Sequence, residues 1–325
     1  MTGEHPLDLD RFLAPYRGRS VYLHEVAGNN GDELILKGSE HILDRSGCVR
    51  TADPSSAELL LINGGFKSDF WPHANETIRE FSARHPGTPL AILPSSFLFE
   101  ETDFPALFEG RTSPTTIFAR ETRSLELLGS MRFEVPAAFG LDHDSAFALA
   151  EAPRYKTLAS REPVNDVLIV ERGDAESSTG HIDTDQIAPG FVRSIASAVL
   201  PRSVAMAGAR SLRRIRGGST PASHSAFVSK AVALAERELG REPRTTVISD
   251  ISRRSACDFD GFCDMIADAR VVISTRLHVA ILGSVLGRRT FAVAGNNHKI
   301  PGIYDHSMKD DPNTSLINPD CEVIG

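Results

Sequence analysis

Short runs of aliphatic and β-branched residues alternate with segments of helical periodicity along most of this chain, and that alternation limits the fold more than any other feature. The clearest unit lies late: Val271, Val272 and Ile273 form a continuous apolar run of the kind buried on both faces of a parallel sheet. Leu277, Ala280, Ile281, Ser284 and Val285 then recur at helical spacing until Gly287. Earlier, strands are expected at Ser20–Val26, Glu58–Ile62, Pro89–Leu93, Thr116–Phe118 and Phe133–Val135. Helices are expected at Asp32–Asp44, Asn75–Arg84 and Glu121–Leu128. Such βαβ order implies parallel sheets with right-handed crossovers.

Around residues 150–164 the pattern lapses into a polar stretch with prolines, which suits an interdomain linker. A second series follows: a strand at Asp166–Val170, helices at Ile187–Leu200 and Ser223–Leu239, a strand at Thr245–Ser249, and a helix at Phe259–Asp268. The strand–helix unit above and a strand at Thr290–Ala294 complete it. The expected architecture is α/β, with two doubly wound Rossmann-like domains facing a cleft: residues 1–155, residues 156–305, and a C-terminal tail over 306–325.

Composition narrows the function. A net charge of −8 disfavours nucleic acid as a partner, because neutralising phosphates needs a basic surface. The four cysteines, Cys48, Cys257, Cys263 and Cys321, show no metal spacing, so reduced, structural thiols and no metal are expected; no loop has a nucleotide-binding glycine pattern, so no cofactor is expected either. No export signal and no apolar stretch of bilayer length is read in the sequence, so a cytoplasmic protein is expected.

The chemistry-bearing residues fall where strands run into helices. Arg276 and His278 sit at the mouth of the late βα loop, where a charged fork, an imidazole and helix N–H groups suit an anionic substrate undergoing proton transfer. An arginine paired with a carboxylate and a histidine at a helix start would read the same way. Gly28-Asn29-Asn30-Gly31-Asp32-Glu33 follows the first strand and opens the first helix, where Asp32 or Glu33 serves as a cap or as a catalytic carboxylate. The segment is neither a dinucleotide glycine pattern nor a Walker loop. Asn63-Gly64-Gly65-Phe66 and Pro94-Ser95-Ser96-Phe97 are expected as two further loops at the same sheet edge. In the second half Arg172 ends one strand and Asn296-Asn297-His298-Lys299 follows another. Arg172, Arg276, His278 and Lys299 are therefore expected to cluster against a ligand with two anionic groups. The arginine-rich stretch Ala209–Gly218 is a further basic loop.

The run Gly-Asn-Asn-Gly-Asp-Glu, the Gly-Gly and Pro-Ser-Ser segments, Phe118-Ala119-Arg120-Glu121 with Ser124, Asp144-Ser145-Ala146-Phe147, Arg276-Leu277-His278 and the late His298-Lys299 resemble, in order, the polysaccharide pyruvyl transferases over roughly residues 20–305. Pro-Ser-Ser-Phe stands in place of the more usual Pro-Gln-Ser-Gly, and Asn-Gly-Gly-Phe in place of a glycine triplet. The resemblance implies a fold like the two-domain GT-B glycosyltransferases. It also implies transfer of the enolpyruvyl unit of phosphoenolpyruvate onto two hydroxyls of a sugar, giving a cyclic ketal and phosphate. Arg276, His278 and Arg172 would then form the donor site, with His278 as general acid and Asp32 or Glu33 as base. Arg276, Arg172 or Lys299 would assist the departing phosphate. His298, Asn30, Gly64, Gly65 and Ser95 complete the expected substrate-binding set. The expected partners are phosphoenolpyruvate and a sugar or lipid-linked oligosaccharide acceptor, the latter bringing the enzyme to the inner membrane face. Two rivals stay open: a GT-B-type glycosyltransferase with a nucleotide-sugar donor, and a non-catalytic sugar- or phosphate-binding protein.

Overall fold

A computed structural model describes residues 7–26, 28–69, 72–173, 179 and 225–324. The helix expected over Ile187–Leu200 and the arginine-rich stretch Ala209–Gly218 lie outside the described residues. In the first half the elements are α1 (Leu9–Leu13), β1 (Ser20–His24), α2 (Asn30–Ser46), β2 (Val49–Arg50), β3 (Leu59–Ile62), β4 (Gly65–Ser68), α3 (Pro72–Arg84), β5 (Leu90–Leu98), β6 (Thr115–Ala119), α4 (Thr122–Ser130) and β7 (Ala137–Leu141). A 3-10 segment, Ser145–Glu151, and α5 (Pro153–Ala159) lead into the second half. There the elements are β8 (Asn165–Val170), α6 (Ala226–Leu239), β9 (Thr246–Ile248), α7 (Phe259–Ala267), β10 (Ala269–Ser274), α8 (Leu277–Val285), β11 (Arg289–Val293), α9 (Lys299–Ile303) and β12 (Thr314–Ile317).

The strands form two wholly parallel sheets. The first has the order β2-β1-β3-β5-β6-β7 with β4 also paired to β5, and the second the order β12-β11-β10-β8-β9. This is Rossmann-like order in an α/β fold. Alternation explains the unbroken apolar runs: along β10, Val272 joins the core beneath α7 and α8, while Val271 and Ile273 pack with α6 on the opposite face. In each sheet the winding reverses once. The reversal lies between β1 and β3 in the first and between β8 and β10 in the second, and the crevice at such a point is where open α/β sheets admit ligands.

Several expectations change. Pro94–Phe97 is not a loop: β5 runs through it to Leu98, and the register to β6 shifts between Ile92 and Ser95, where Pro94 can give no ladder hydrogen bond. The chain does not leave the sheet at Gly64-Gly65 either. Gly65 takes a φ of 138° and the chain resumes as β4 beside the same β5. The strand expected at Phe133–Val135 begins after Pro136 instead, as β7, while Phe133 packs edge-on against Phe104. The presumed linker holds α5, whose Pro153 occupies the first turn and whose Tyr155 and Leu158 are buried in the second sheet's core. The tail is ordered too, since β12 adds the outer strand beside β11.

The halves are tied together by α2. Its first residue, Asn30, is fully buried; its backbone N–H donates to the Ser252 carbonyl (2.9 Å) and its side chain to the carbonyls of Ile251 (2.9 Å) and Cys257 (3.1 Å). Further along, Leu34 enters the second half's core. No helix among the described residues is long and apolar enough to cross a membrane.

Candidate functional site

A cavity of about 300 Å³ opens where the reversal points of the two sheets face each other. From the second sheet, Arg172 follows β8, and Arg276 and His278 follow the adjacent β10. The two loops are stitched together: the Arg172 N–H donates to Thr275 Oγ1 (2.7 Å), and the Thr275 N–H donates to the Val170 carbonyl (3.0 Å). Ser274 fixes the turn, its Oγ accepting from the Arg276 N–H (2.9 Å) and donating to the Arg276 carbonyl (3.0 Å). Arg276 holds Asp250 through two hydrogen bonds, of 3.1 and 2.5 Å, with both side chains nearly buried. Lys299, at the start of α9, places Nζ 4.4 Å from the ring centre of Phe66 on the opposite wall.

The first sheet supplies Gly28, Asn29, Gly31 and Asp32 from the start of α2, and Gly64, Gly65, Phe66 and Lys67 from the β3–β4 step. Asn29 and Asp32 make a capping box: Asn29 Oδ1 accepts from the Gly31 N–H (2.7 Å), and Asp32 Oδ2 accepts from the Asn29 N–H (2.8 Å). Asp32 therefore caps the helix and lines the cavity at once. Gly31 lets the walls meet, since a Cβ there would lie 2.8 Å from His278 Nδ1.

Behind the wall, Arg120 and Asp144 are almost wholly buried. Arg120 donates to Asp144 Oδ2 (2.5 Å) and to Ser96 Oγ (2.9 Å), while Asp144 Oδ1 accepts from the Ala146 N–H (2.9 Å). His278 reaches the same carboxylate from the other half, its Nε2 3.4 Å from Asp144 Oδ2. Burial alone would raise the Asp144 pKa, but the Arg120 guanidinium and then His278 hold it well below the usual carboxylate range. Lys67 is 1% exposed and donates one hydrogen bond, to the Asn63 carbonyl (3.0 Å). Burial and then the charge of Arg120 push its pKa down to about 8, against an upward pull from Asp32.

Of the residues expected from sequence, Arg172, Arg276, His278, Lys299, Asp32, Gly64 and Gly65 line this cavity together. Four do not. Asn30 is spent on the carbonyls across the interface, and Glu33 pairs with Arg254 (2.8 Å) beside a neighbouring depression. Ser95 lies inside β5, its hydroxyl donating to the Leu93 carbonyl (2.7 Å). His298 turns away to Glu121, 3.4 Å from Oε1. Lys67 and Arg120 complete the cationic lining; neither was among the expected binding residues.

No family model matches the chain, and no curated protein matches it. Among solved structures, it is similar to a functionally uncharacterised protein from Klebsiella pneumoniae subsp. pneumoniae NTUH-K2044, with TM-score 0.58, 18% identity and coverage of 95% of this chain and 96% of that one. A likeness at that identity bears on the fold alone.

Proposed function

We propose that the cleft transfers the enolpyruvyl group of phosphoenolpyruvate to two hydroxyls of a sugar, forming a pyruvate ketal and releasing phosphate, in the biosynthesis of an exopolysaccharide or cell-surface glycan. The observation that carries this reading is the lining: Lys67, Arg120, Arg172, Arg276, His278 and Lys299 converge on one cavity with Asp32 as its carboxylate. That charge pattern suits a small ligand bearing both a carboxylate and a phosphate. The opposed reversal points of two Rossmann-like sheets also suit a GT-B-like enzyme, with donor and acceptor held between the two walls.

In this mechanism His278 gives a proton to the methylene carbon of phosphoenolpyruvate as a sugar oxygen adds to its central carbon. Asp144, held by Arg120, fixes the ring from behind. Asp32 accepts the hydroxyl proton; of the two carboxylates weighed for this role it is the one lining the cavity. The carbon–oxygen bond to phosphate then breaks, with the cations that line the cavity offsetting charge on the leaving group. The second hydroxyl adds to the oxocarbenium carbon, loses its proton and closes the ketal. The acceptor is a sugar or a lipid-linked oligosaccharide.

The test is release of inorganic phosphate from phosphoenolpyruvate in the presence of a panel of diol-bearing sugars and lipid-linked oligosaccharides. Phosphate release that depends on an acceptor, and that falls by about 10²- to 10⁴-fold in His278→Ala, is the expected result. A His278→Ala protein with full turnover would remove the acid assignment. Turnover of a nucleotide sugar instead would make the protein a glycosyltransferase.

A further inference from the structure

We propose that Lys67 is the phosphoryl ligand of this cleft, its ammonium left without a carboxylate so that an incoming phosphoryl group supplies the missing charge. This rests on the anionic-donor reading above and adds to it the residue and the end of the ligand that meet. Four buried cations line the cavity and differ in what they meet, Lys299 lying over the Phe66 ring. Arg120 has Asp144 and Arg276 has Asp250, each within hydrogen-bonding distance. Lys67 has three N–H donors and gives one to a backbone carbonyl, with no carboxylate among the described residues paired to it. A buried ammonium left so is costly, because its lost hydration is not returned by a counter-charge. A methionine has similar volume and suits a buried strand position, and would give up the single hydrogen bond to the Asn63 carbonyl. A lysine there calls for an anion.

Chemistry selects which anion. Lysine acts as a compact point charge and suits the dense charge of a phosphoryl dianion, whereas a planar carboxylate is better met by the fork of an arginine. Lys67 projects from β4, the strand that extends past β3 along β5, so it stands on the first wall, opposite Arg276 and Arg172. A donor spanning the cleft would then lay its phosphoryl end toward Lys67 and its carboxylate toward the arginines of the second wall.

Anion binding should also move a proton. The charged and titratable groups around Lys67 are Asp32 on α2, Arg120 after β6 and His24 on β1. His73 on α3 also lines the cavity, and across it stand Arg172 after β8, Arg276 and His278 at α8, and Lys299 at α9. Asp32 is the one acid among them, and its pull does not prevent the lysine pKa from falling to about 8. A phosphoryl dianion in contact with Nζ favours the ammonium, so the bound state takes up a proton that the free protein lacks near that pH. The expected uptake is about half a proton per anion at pH 8 and approaches one at pH 9.

The experiment is calorimetric titration of the full chain with phosphoenolpyruvate, inorganic phosphate and pyruvate at pH 7 to 9, in buffers of differing ionisation enthalpy, for the wild type and Lys67→Met. The expected result is a loss of about tenfold to a hundredfold in affinity for phosphoenolpyruvate and for phosphate in the variant, little change for pyruvate, and disappearance of the proton uptake. Unchanged melting or a higher melting temperature at pH 7 shows that the variant folds. Wild-type affinity for phosphoenolpyruvate in Lys67→Met overturns the assignment and leaves the donor reading standing. A loss confined to pyruvate also overturns it, placing the carboxylate at Lys67. A wild type that binds phosphate through Lys67 but not phosphoenolpyruvate keeps the phosphoryl site and removes the donor. Binding of neither removes both.

Discussion

The two walls of the cleft neutralise their cations differently. On the second wall Arg172 and Arg276 stand on neighbouring loop mouths, with the nearly buried Asp250 holding the Arg276 fork. The first wall keeps its charges inside the sheet. Arg120 is locked to Asp144 behind the cavity, and Lys67 is buried in β4 with no carboxylate partner among the described residues. An arginine already paired with a carboxylate can meet a ligand without being costly when the site is empty. An unpaired buried ammonium strains the empty site and is relieved by the ligand. The walls thus divide the work: one is set before binding and the other is completed by it.

The contrast is broken most severely at Asp144. Asp144→Ala leaves Arg120 buried and uncompensated, so unfolding in denaturant should show a loss of about 3–5 kcal/mol, with His278 losing the carboxylate behind it. A loss under 1 kcal/mol would mean that solvent reaches Arg120 and that the first wall is not sealed.

Lys67→Met should act in the opposite direction. The folded-state pKa of Lys67 lies near 8, below its ordinary value of 10.5, so the charged form is disfavoured in the fold below pH 8. That penalty fades as pH rises from 8 toward 10.5, because the folded state loses its proton first and the unfolded chain only later. The variant should therefore be the more stable protein at pH 7, by up to roughly 3 kcal/mol, and its advantage should vanish near pH 10.5. Comparing the two proteins at each pH cancels the tyrosines and cysteines that titrate over the same range. A variant equally stable at both ends of the window would show that Lys67 is hydrated.

The smallest of these effects sharpens the second wall. Arg276→Ala should weaken phosphoenolpyruvate binding by about tenfold to a hundredfold and also lower the melting temperature, because Asp250 is left alone. Adding Asp250→Ala should restore much of the melting temperature and none of the binding. Recovery of both together would reduce Arg276 to a scaffold residue.

Much of this layout is legible in the sequence, and the misses have physical reasons. Arg172, Arg276, His278 and Lys299 are visible because each follows an unmistakable apolar strand, and position relative to a strand end is what periodicity reports well. Lys67 is hidden because β4 has no alternation: Gly65-Phe66-Lys67-Ser68 after a glycine reads as a turn, and only pairing with β5 makes it a strand. Arg120 is hidden differently. Its role depends on Asp144, which lies beyond α4 and β7 in the chain. Asn30 and Glu33 share the first turn of α2 with Asp32, but helix geometry points successive residues in different directions, so one faces the interface and another a neighbouring depression. Ser95 reads as a loop residue because Pro94 suggests a strand end, while a register shift lets β5 continue through it.

The most direct test of the central claim is the melting temperature of the protein with phosphoenolpyruvate, measured against a panel of nucleotide sugars. A ligand that binds only the folded chain raises the melting temperature by mass action. A rise with phosphoenolpyruvate that is abolished in the Arg276→Ala, Asp250→Ala double variant, with no rise for any nucleotide sugar, is the predicted result. A rise with a nucleotide sugar and none with phosphoenolpyruvate would contradict the account.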